Sequence, residues 1–497
     1  MTHDPRKSDR SVVPLKPSNK AGSPVAETVE GRDLAQGNTD QQNALRTQRR
    51  VGVPSALDRV RQLARKDRKA KFNNLFHHLT VDRLQRAFLA LKRQASAGVD
   101  DVTWEQYRAA LDAHIQDLHG RLHRGAYRAK PTRRTYIPKS DGGQRALGIA
   151  SLEDKIVQRA VVEILNAIYE SDFVGFSYGF RPGRGPHDAL DALSTGIRRR
   201  KVNWVLDADI RAYFDSIDHD WLLKFVEHRI ADKRMLRLIQ KWLSAGTVEK
   251  GRWTKSTDGT PQGATVSPLL ANIYLHYVFD LWARRWRDRC ALGDVVLVRY
   301  ADDLVAGFQH WGDAERFRRE LSERFAKFAL ELHSEKTRLL RFGRLTALPR
   351  GNRVGQKGET FNFLGFTHIS ARSRVKGFLL IRRTQRQRLQ AKLRDVKTEL
   401  KLRRHLPIPV QGQWLRSVVA GHFAYFAVPT NFHALRCFRT QVERHWRRAL
   451  QSRGQRDRTD WKRIHQLSEQ WLPKPRILHP WPEARFDVRT RGKSPVR

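Results

Sequence analysis

Residues 295–308 read VVLVRYADDLVAGF, two strongly apolar runs that meet at the adjacent acids Asp302 and Asp303. Apolar runs of this length on either side of a short polar turn predict two strands of a buried hairpin. Neighbouring carboxylates in such a setting are costly unless water or a cation neutralises them. Taken alone, the pair is more simply interpreted as a solvent-exposed turn, so its meaning depends on the rest of the chain.

A second acidic strand is predicted upstream, where residues 204–210 read WVLDADI. Asp207 and Asp209 are two positions apart and therefore lie on the same face of a strand. Two strands that present carboxylates from an apolar sheet can hold two hard divalent cations, and oxygen ligands suit Mg²⁺. Such a pair of ions supports in-line phosphoryl transfer without a covalent nucleophile from the protein. The spacing does not decide which of Asp207 and Asp209 is the ligand.

The remaining sequence mixes helical and extended patterns. Helical periodicity runs through much of residues 55–122, and short extended runs flank a turn at Asp141-Gly142-Gly143. Residues 152–170 again have the helical pattern, and residues 360–369 are typical of a strand. This mixture predicts an α+β fold in which an antiparallel sheet is flanked by helices. A chain of 497 residues is also long enough for two to four domains.

The charge balance indicates a polyanionic partner. The chain has 95 Lys and Arg residues against 51 Asp and Glu residues, a formal net charge of +44. Self-repulsion of this size opposes compaction, so a nucleic-acid partner is the usual reason to retain it. More than half of the net charge lies after residue 370, where 31 basic residues face 8 acidic ones. No apolar run long enough to cross a membrane is found, which argues against a membrane partner.

Cysteine content and the N-terminus predict a cytoplasmic protein. The two cysteines, Cys290 and Cys437, are far apart, so neither a disulfide framework nor a zinc site of paired cysteines is expected. The first ten residues, MTHDPRKSDR, lack the apolar core of a secretory signal.

The acidic motifs resemble those of a known family. Tyr300-Ala301-Asp302-Asp303 resembles the YADD box of reverse transcriptases, and residues 207–222 (DADIRAYFDSIDHDWL) are similar to the first palm motif of group II intron-encoded reverse transcriptases. The resemblance implies a right-hand polymerase fold with fingers, palm and thumb. It also implies roles for five residues: Asp209, Asp302 and Asp303 as catalytic acids, the Ile210 carbonyl as a further metal ligand, and Tyr213 as the aromatic that excludes a ribose 2′-hydroxyl.

Further motifs follow in the family's order. Residues 259–263 (GTPQG) and 267–275 (SPLLANIYL) resemble the family's PQG motif, and residues 332–337 (LHSEKT) resemble the next one. Upstream, two basic residues on either side of the Asp-Gly-Gly turn match the fingers hairpin that closes over a nucleotide. The resemblance therefore implies a nucleotide-binding set made of Lys139, Arg145, Tyr213, Gln262, Gly263 and Lys336.

The later part of the chain resembles the primer grip and the maturase domain of the same family. Phe363-Leu364-Gly365-Phe366 matches the primer-grip hairpin, and residues 418–429 (VVAGHFAYFAVP) resemble the core of the maturase domain, domain X, which forms the thumb. The resemblance and the basic helical pattern imply RNA contacts on the thumb by Arg416, Tyr425, Arg444 and Arg447. Residues 471–486 are similar to the ends of bacterial group II intron proteins that lack an endonuclease domain, so none is expected here.

The resemblance covers approximately residues 70–485 and implies a domain order. That order is a disordered basic tail (1–55), a helical N-terminal extension (56–130), reverse transcriptase fingers and palm (131–370), a helical thumb or maturase domain (371–470), and a basic C-terminal tail (471–497).

The leading hypothesis is an RNA-directed DNA polymerase that copies RNA into cDNA with two Mg²⁺ ions, which Mn²⁺ could replace, and that assists splicing and mobility of its group II intron. Its expected partners are the intron RNA template, a DNA or RNA primer, deoxynucleoside triphosphates and target DNA. The oligomeric state is left open. One alternative is an RNA-binding maturase with a vestigial polymerase site, and another is a domesticated or defence-associated reverse transcriptase without an intron. A basic chromatin-type binder would leave the paired acids unexplained.

Overall fold

A computed structural model describes residues 56–138, 143–347, 358–373, 377–454 and 459–490 of the protein. The tail predicted at residues 1–55 and the nucleotide-binding candidate Lys139 lie outside the described residues.

Helices form the N-terminal extension, flank the central sheet and make up the C-terminal domain. Up to residue 300 they are α1 (Ala56–Lys66), α2 (Val81–Leu89), α3 (Trp104–Arg108), α4 (Leu111–His123), α5 (Leu152–Asp172), α6 (Pro186–Arg199), α7 (His219–Glu227), α8 (Lys233–Ser244), α9 (Ser267–Leu275) and α10 (Leu281–Arg289). After it they are α11 (Trp311–Ala326), α12 (Arg344–Ala347), α13 (Arg386–Leu402), α14 (Ile408–Phe426), α15 (Phe432–Gln451), α16 (Trp461–Trp471) and α17 (Pro482–Thr490).

The strands of the described residues form three sheets. In chain order they are β1 (Thr132–Pro138), β2 (Gln144–Ile149), β3 (Trp204–Ala208), β4 (Thr247–Glu249), β5 (Arg252–Thr254), β6 (Val295–Tyr300), β7 (Asp303–Phe308), β8 (Arg338–Arg341), β9 (Thr360–Phe363), β10 (Phe366–Ser373) and β11 (Gly377–Thr384).

The palm sheet has the order β6-β7-β3-β8, and each neighbouring pair is antiparallel. Both of its faces are buried. Val205 and Val305 belong to a core cluster that includes Leu190 of α6, whereas Leu206 and Leu304 belong to the cluster on the other side. Because both faces are covered, side chains of both orientations are mostly apolar, which explains the predominantly apolar runs in the sequence.

The fingers sheet has the order β2-β1-β4-β5 and is mixed, with one parallel pair among its strands. Strands β1 and β2 form an antiparallel hairpin, but β1 pairs with β4 in parallel, Thr132 opposite Thr247. The chain leaves β2 directly into α5, whose N-terminus is capped by the Ser151 hydroxyl accepting from the backbone N–H of Asp154 at 3.2 Å. α5 is buried along most of its length and forms the central core of the fingers and palm.

The third sheet joins the palm to the helical C-terminal domain. Strand β10 pairs with β9 and β11, and β11 continues into α13. The helices α13 to α16 enclose a separate apolar cluster around Trp446, whose indole N–H donates to Gln411 Oε1 at 2.9 Å. Position 412 requires glycine, because a Cβ there would lie 2.5 Å from the Trp471 ring.

The last described helix, α17, returns to the palm and packs against α6. Asp191 of α6 accepts hydrogen bonds from Arg485 of α17 and from Arg382 of β11, the latter at 2.9 Å. A second ion pair joins Arg199 to Asp487 at 2.7 Å. The region predicted as a basic tail from residue 471 therefore contains a helix docked through its own acidic and basic residues.

These elements confirm the predicted α+β fold, with an antiparallel palm sheet flanked by helices and a helical domain after it. Within the residues described above, no helix combines the length and the apolar character that crossing a bilayer requires.

Candidate active site

The two acids of the YADD motif lie in the turn between β6 and β7. Tyr300 pairs with Asp303 at the end of this hairpin, so Ala301 and Asp302 form its tip. Ala301 has a φ of +56°, a left-handed conformation that costs a residue with a Cβ roughly 1 kcal/mol or more. Strain of this kind persists only where the surrounding structure holds it, and it is frequent at functional sites.

Strand β3 brings Asp209 to the same edge of the sheet. Its last residue, Ala208, is opposite Leu304 on β7, so Asp209 follows at the level of the Asp303 end. The Asp209 carbonyl accepts from the backbone N–H of His333 at 2.8 Å, which fixes the chain where it leaves the strand. Two strands far apart in sequence therefore bring the three acids together, as the motif pattern predicted.

The carboxylates repel one another. The pKa of Asp303 is raised to about 7, first because the surrounding protein desolvates it and then because Asp302, Asp209 and Asp207 add negative charge. The Asp303 residue nevertheless keeps contact with solvent, so the acids lie at an open edge of the sheet. Burial and Asp209 also raise the pKa of Asp302, whereas Arg145 and Arg299 oppose the shift. The site is short of positive charge, as expected of a place that receives cations.

The donor set suits Mg²⁺, which is bound in proteins by one or two carboxylates together with water and substrate phosphates. In the described part of the chain, no three His, Cys, Asp or Glu side chains form a ready-made metal cage. Instead, Lys336 Nζ lies 3.1 Å from Asp209 Oδ2 and partly neutralises it. Asp207 lies two residues deeper in the sheet than Asp209, opposite Val305, and faces Arg338 at 3.5 Å.

Ile210 and Tyr213, two predicted site residues near Asp209, are held in place by contacts with the backbone of other segments. Ile210 is buried and forms an isolated bridge with Leu332. Tyr213 is buried, and its hydroxyl donates to the Ala271 carbonyl of α9 at 2.5 Å, while burial raises its pKa well above the ordinary value. Its hydroxyl is therefore occupied by the protein, so any contact with a nucleotide would be made by the ring. The metal role of Ile210 and the selective role of Tyr213 stay predictions.

The loop with Gln262 and Gly263 links the fingers to the palm. The Gln262 carbonyl accepts from the N–H of Gly148 on β2 at 2.7 Å. The preceding Thr260 donates its backbone N–H to the Phe214 carbonyl, next to Tyr213, at 2.7 Å. Gly263 is exposed and has a φ of +109°, which suits glycine. The loop thus lies where both the fingers sheet and the acidic edge can contact it.

Arg145 is exposed on β2, opposite Ile137, and its positive charge acts on Asp302. The fingers hairpin therefore projects toward the acidic edge.

The primer-grip candidates form the turn between β9 and β10. Phe363 and Phe366 are buried, and Leu364 and Gly365 occupy the tip with φ values of +47° and +83°.

The thumb candidates fall into two groups. Arg416 on α14 and Arg444 on α15 are exposed and available to a ligand. Arg447 instead donates to the Thr459 carbonyl and lies over the Trp461 ring at 4.5 Å. The Tyr425 hydroxyl donates to the carbonyl of Leu364 in the primer-grip turn at 2.8 Å. Tyr425 therefore ties the thumb to that turn, and the sequence motif alone gave no sign of this contact.

Two residues that border the acidic turn were not identified from the sequence. Gly179 is buried, and a Cβ on it would lie 2.2 Å from the Ala301 nitrogen. Arg299 is fully buried within β6. The available signal for Arg299 was a single charged residue inside an otherwise apolar strand, which is an expensive arrangement without partners.

Comparison with known proteins agrees with this geometry. A family model described as reverse transcriptase (RNA-dependent DNA polymerase) matches residues 137–368, which contain β2 of the fingers hairpin and the acidic strands of the palm sheet. Protein YkfC of Escherichia coli strain K12 is 41% identical over 44% of this chain and 65% of its own length. Group II intron-encoded protein LtrA of Lactococcus lactis subsp. cremoris is 35% identical over 44% of this chain and 37% of its own length.

A third relative, an uncharacterized 91 kDa protein in the cob intron of Schizosaccharomyces pombe, is 47% identical over 33% of this chain and 20% of its own length. The aligned part spans less than two thirds of each of these three relatives. The resemblance inferred from the motifs is confirmed: residues 137–368 match the reverse transcriptase family, and the relatives include a protein encoded by a group II intron.

Proposed function

We propose that the protein is an RNA-directed DNA polymerase that copies RNA into cDNA. The observation that carries the proposal is the meeting of Asp209, Asp302 and Asp303 at one edge of the palm sheet, where their mutual repulsion is not fully neutralised. A matching reverse transcriptase domain encloses all three acids. The strained backbone at Ala301 holds the acids close together even though Asp303 keeps contact with solvent, so their repulsion is retained.

Asp209, Asp302, Asp303 and the Ile210 carbonyl are the proposed ligands of two Mg²⁺ ions. When bound, such ions activate the primer 3′-hydroxyl and neutralise the charge that develops on the leaving pyrophosphate. The protein supplies no covalent nucleophile in this reaction class, so positioning and charge carry the catalysis.

The surrounding residues have distinct proposed tasks. Arg145, and Lys139 outside the described residues, bind the triphosphate from the fingers side. Lys336, which pairs with Asp209 at 3.1 Å, is a cation that can pass from the carboxylate to the pyrophosphate once metal ions arrive. The anchored Tyr213 ring excludes a ribose 2′-hydroxyl, and Gln262 with Gly263 supports the incoming nucleotide.

A primer-extension assay tests the polymerase proposal. Purified protein with oligo(dT)-primed poly(rA), dTTP and Mg²⁺ is expected to extend the primer, because the acidic edge then receives its ions and substrate. Chelation with EDTA should abolish extension, and Mg²⁺ or Mn²⁺ in excess should restore it. Protein that is folded by circular dichroism but extends no primer with either ion would favour the alternative of a vestigial polymerase site.

A second proposed function is binding of the group II intron RNA to assist splicing. It is supported by the basic helices of the C-terminal domain and by the names of relatives, among them a nuclear intron maturase of Arabidopsis thaliana. Intron RNA, primer, deoxynucleoside triphosphates and target DNA are the proposed partners, and the cytoplasm is the proposed location. A reverse transcriptase without an intron is the alternative, and flanking DNA that lacks the catalytic RNA hairpin of such introns would favour it.

RNA affinity is expected to fall steeply with salt, by at least about 10²-fold between 50 and 200 mM, because each neutralised phosphate releases condensed counterions. Filter binding of intron RNA across salt concentrations measures the slope. The double variant Arg416→Gln and Arg444→Gln removes two exposed cations and should reduce the slope by about 1.5 units. Arg447→Gln should instead act mainly on stability, since Arg447 packs on Trp461. A slope unchanged in the double variant would contradict RNA contacts at these positions.

A further inference from the structure

Arg299 is a buried cation one residue before the YADD motif. Its side chain is 0% exposed, within the strand that ends at the acidic turn. Removing a guanidinium from water is costly, and the cost is met only when a carboxylate and further acceptors engage its five N–H donors. An ordinary core position would hold an apolar residue, as the neighbouring Val296 and Val298 do.

Four separate elements supply the acceptors. Asp280 binds the guanidinium in bidentate fashion, at 2.7 Å to Nε and 2.6 Å to Nη2. It belongs to a π-helical turn, His276–Asp280, that interrupts the path from α9 to α10. Nη2 also donates to Ser177 Oγ at 2.7 Å, and Nη1 donates to Asn272 Oδ1 at 2.9 Å. π-helical turns inside α-helices frequently occur at functional sites, where they redirect a side chain.

The remaining contact reaches the acidic turn itself. Nη1 of Arg299 donates to the carbonyl of Ala301 at 3.0 Å. Ala301 is the residue with the left-handed φ of +56°, and its carbonyl belongs to the peptide that joins it to Asp302. A hydrogen bond to that carbonyl fixes the orientation of this peptide plane.

The same network holds the turn from its other side. Asn272, which accepts from Arg299, donates through Nδ2 to the Gly179 carbonyl at 2.7 Å. Gly179 lies so close to Ala301 that no Cβ fits between them. The turn is thus enclosed between Gly179 and the guanidinium, both connected through Asn272.

We propose that Arg299 is a positioning residue that orients Asp302 through the Ala301 carbonyl. The inference rests on the proposed polymerase function, since it assigns Arg299 a task in that reaction. Lysine cannot replace it, because one ammonium cannot serve Asp280 in bidentate fashion and also reach Asn272 and Ala301. A 1 Å displacement of a catalytic group can cost about 10²-fold in rate.

The test compares Arg299→Lys with Ser177→Ala. Ser177→Ala is the control, because it removes a hydrogen bond from the same guanidinium but leaves the contact with Ala301. Arg299→Lys is expected to lower kcat for primer extension about 10²-fold, to raise the Mg²⁺ concentration for half-maximal rate about tenfold, and to leave KM for dTTP within about threefold. Ser177→Ala should lower the melting temperature and keep all three kinetic values within about threefold.

Mn²⁺ binding to the protein alone, followed by electron paramagnetic resonance, separates failure of this inference from failure of the polymerase proposal. Arg299→Lys is expected to bind Mn²⁺ about tenfold more weakly than the unaltered protein, with Asp302→Asn defining the residual binding. If Arg299→Lys binds Mn²⁺ more weakly but the unaltered protein extends no primer, the positioning role is supported and the polymerase proposal is refuted. Equal Mn²⁺ affinity and unchanged Mg²⁺ dependence in Arg299→Lys would reduce Arg299 to a structural ion pair.

A second variant covers the case in which Arg299→Lys does not fold. The double variant Arg299→Gln and Asp280→Asn removes both charges together and leaves no unpaired buried charge. The protein core should therefore tolerate these two substitutions. Its single amide cannot reproduce the contact with Ala301 as well as those with residues 272 and 280. The double variant is therefore expected to show the same loss of Mn²⁺ affinity, and normal affinity in it would also overturn the proposal.

Discussion

Replacing Asp302 by Asn is expected to lower kcat/KM for primer extension by at least about 10³-fold, or roughly 4 kcal/mol of transition-state stabilisation. The amide keeps the shape of the carboxylate but removes the charge that would hold the metal ions. Asp302 lies at the tip of the hairpin, beside Asp303 and within the field of Asp209. Steady-state extension of oligo(dT) on poly(rA) measures the loss, and Asp209→Asn should behave alike.

Stability distinguishes this loss from misfolding. Since burial and Asp209 raise the pKa of Asp302, its charged form is unfavourable in the folded, metal-free protein. Asp302→Asn should therefore keep or raise the melting temperature in EDTA. Asp207→Asn is the comparator, because Asp207 lies deeper in the sheet against Arg338 and should lose no more than about tenfold in activity. Extension by Asp302→Asn at a tenth of the normal rate would refute the proposed metal site.

Gly179→Ala is expected to reduce primer extension about 10²-fold, because the added methyl group would lie 2.2 Å from the Ala301 nitrogen and 2.9 Å from its Cα. Both are backbone atoms of the acidic turn, so the turn itself must move. Overpacking of this kind also costs about 1–3 kcal/mol in stability. Extension kinetics and thermal unfolding, measured on the same preparation, give the two effects separately.

Gly312→Ala provides the matched control. Gly312 is exposed in the first turn of α11, and a Cβ there meets no atom within 4 Å. The change should leave extension unaffected and stabilise the protein slightly, because Ala restricts the unfolded chain. If Gly179→Ala matched this control in rate, the close approach of Gly179 would be irrelevant to the positions of the acids.

The motifs predicted the centre of the site well because the pleat and the pairing of β-strands follow from the order of apolar and acidic residues in the sequence. Mostly apolar runs at residues 204–208, 295–300 and 304–308 mark strands covered on both faces, and the acids at their ends must meet at one edge once the strands pair. The antiparallel register between Val205 and Gly307 supplies this pairing. The fold class followed from the same runs and from the helical periodicity between them.

Contacts made by single side chains could not be predicted in this way. Tyr213 was interpreted through its ring, but its hydroxyl bonds to Ala271, 58 residues later in the chain. Tyr425 was assigned to RNA, yet it holds the carbonyl of Leu364. Such hydrogen bonds depend on which elements pack together and on how far each is shifted along its neighbour. Hydrophobic periodicity contains no information about either. The parallel pairing of β1 with β4 escaped prediction for the same reason.

Asp191 has a consequence for how the helical domain can move. The chain leaves the palm region at Arg382 and comes back to it at Arg485, and both guanidiniums meet on this one carboxylate. The buried Asp191 carboxylate thus pairs with one cation from each end of the helical domain. Separating the helical domain from the palm would leave this carboxylate unpaired and would also break the Arg199–Asp487 ion pair and the hydrogen bond from Tyr425 to Leu364. We therefore expect the helical domain and the palm to stay joined as one unit.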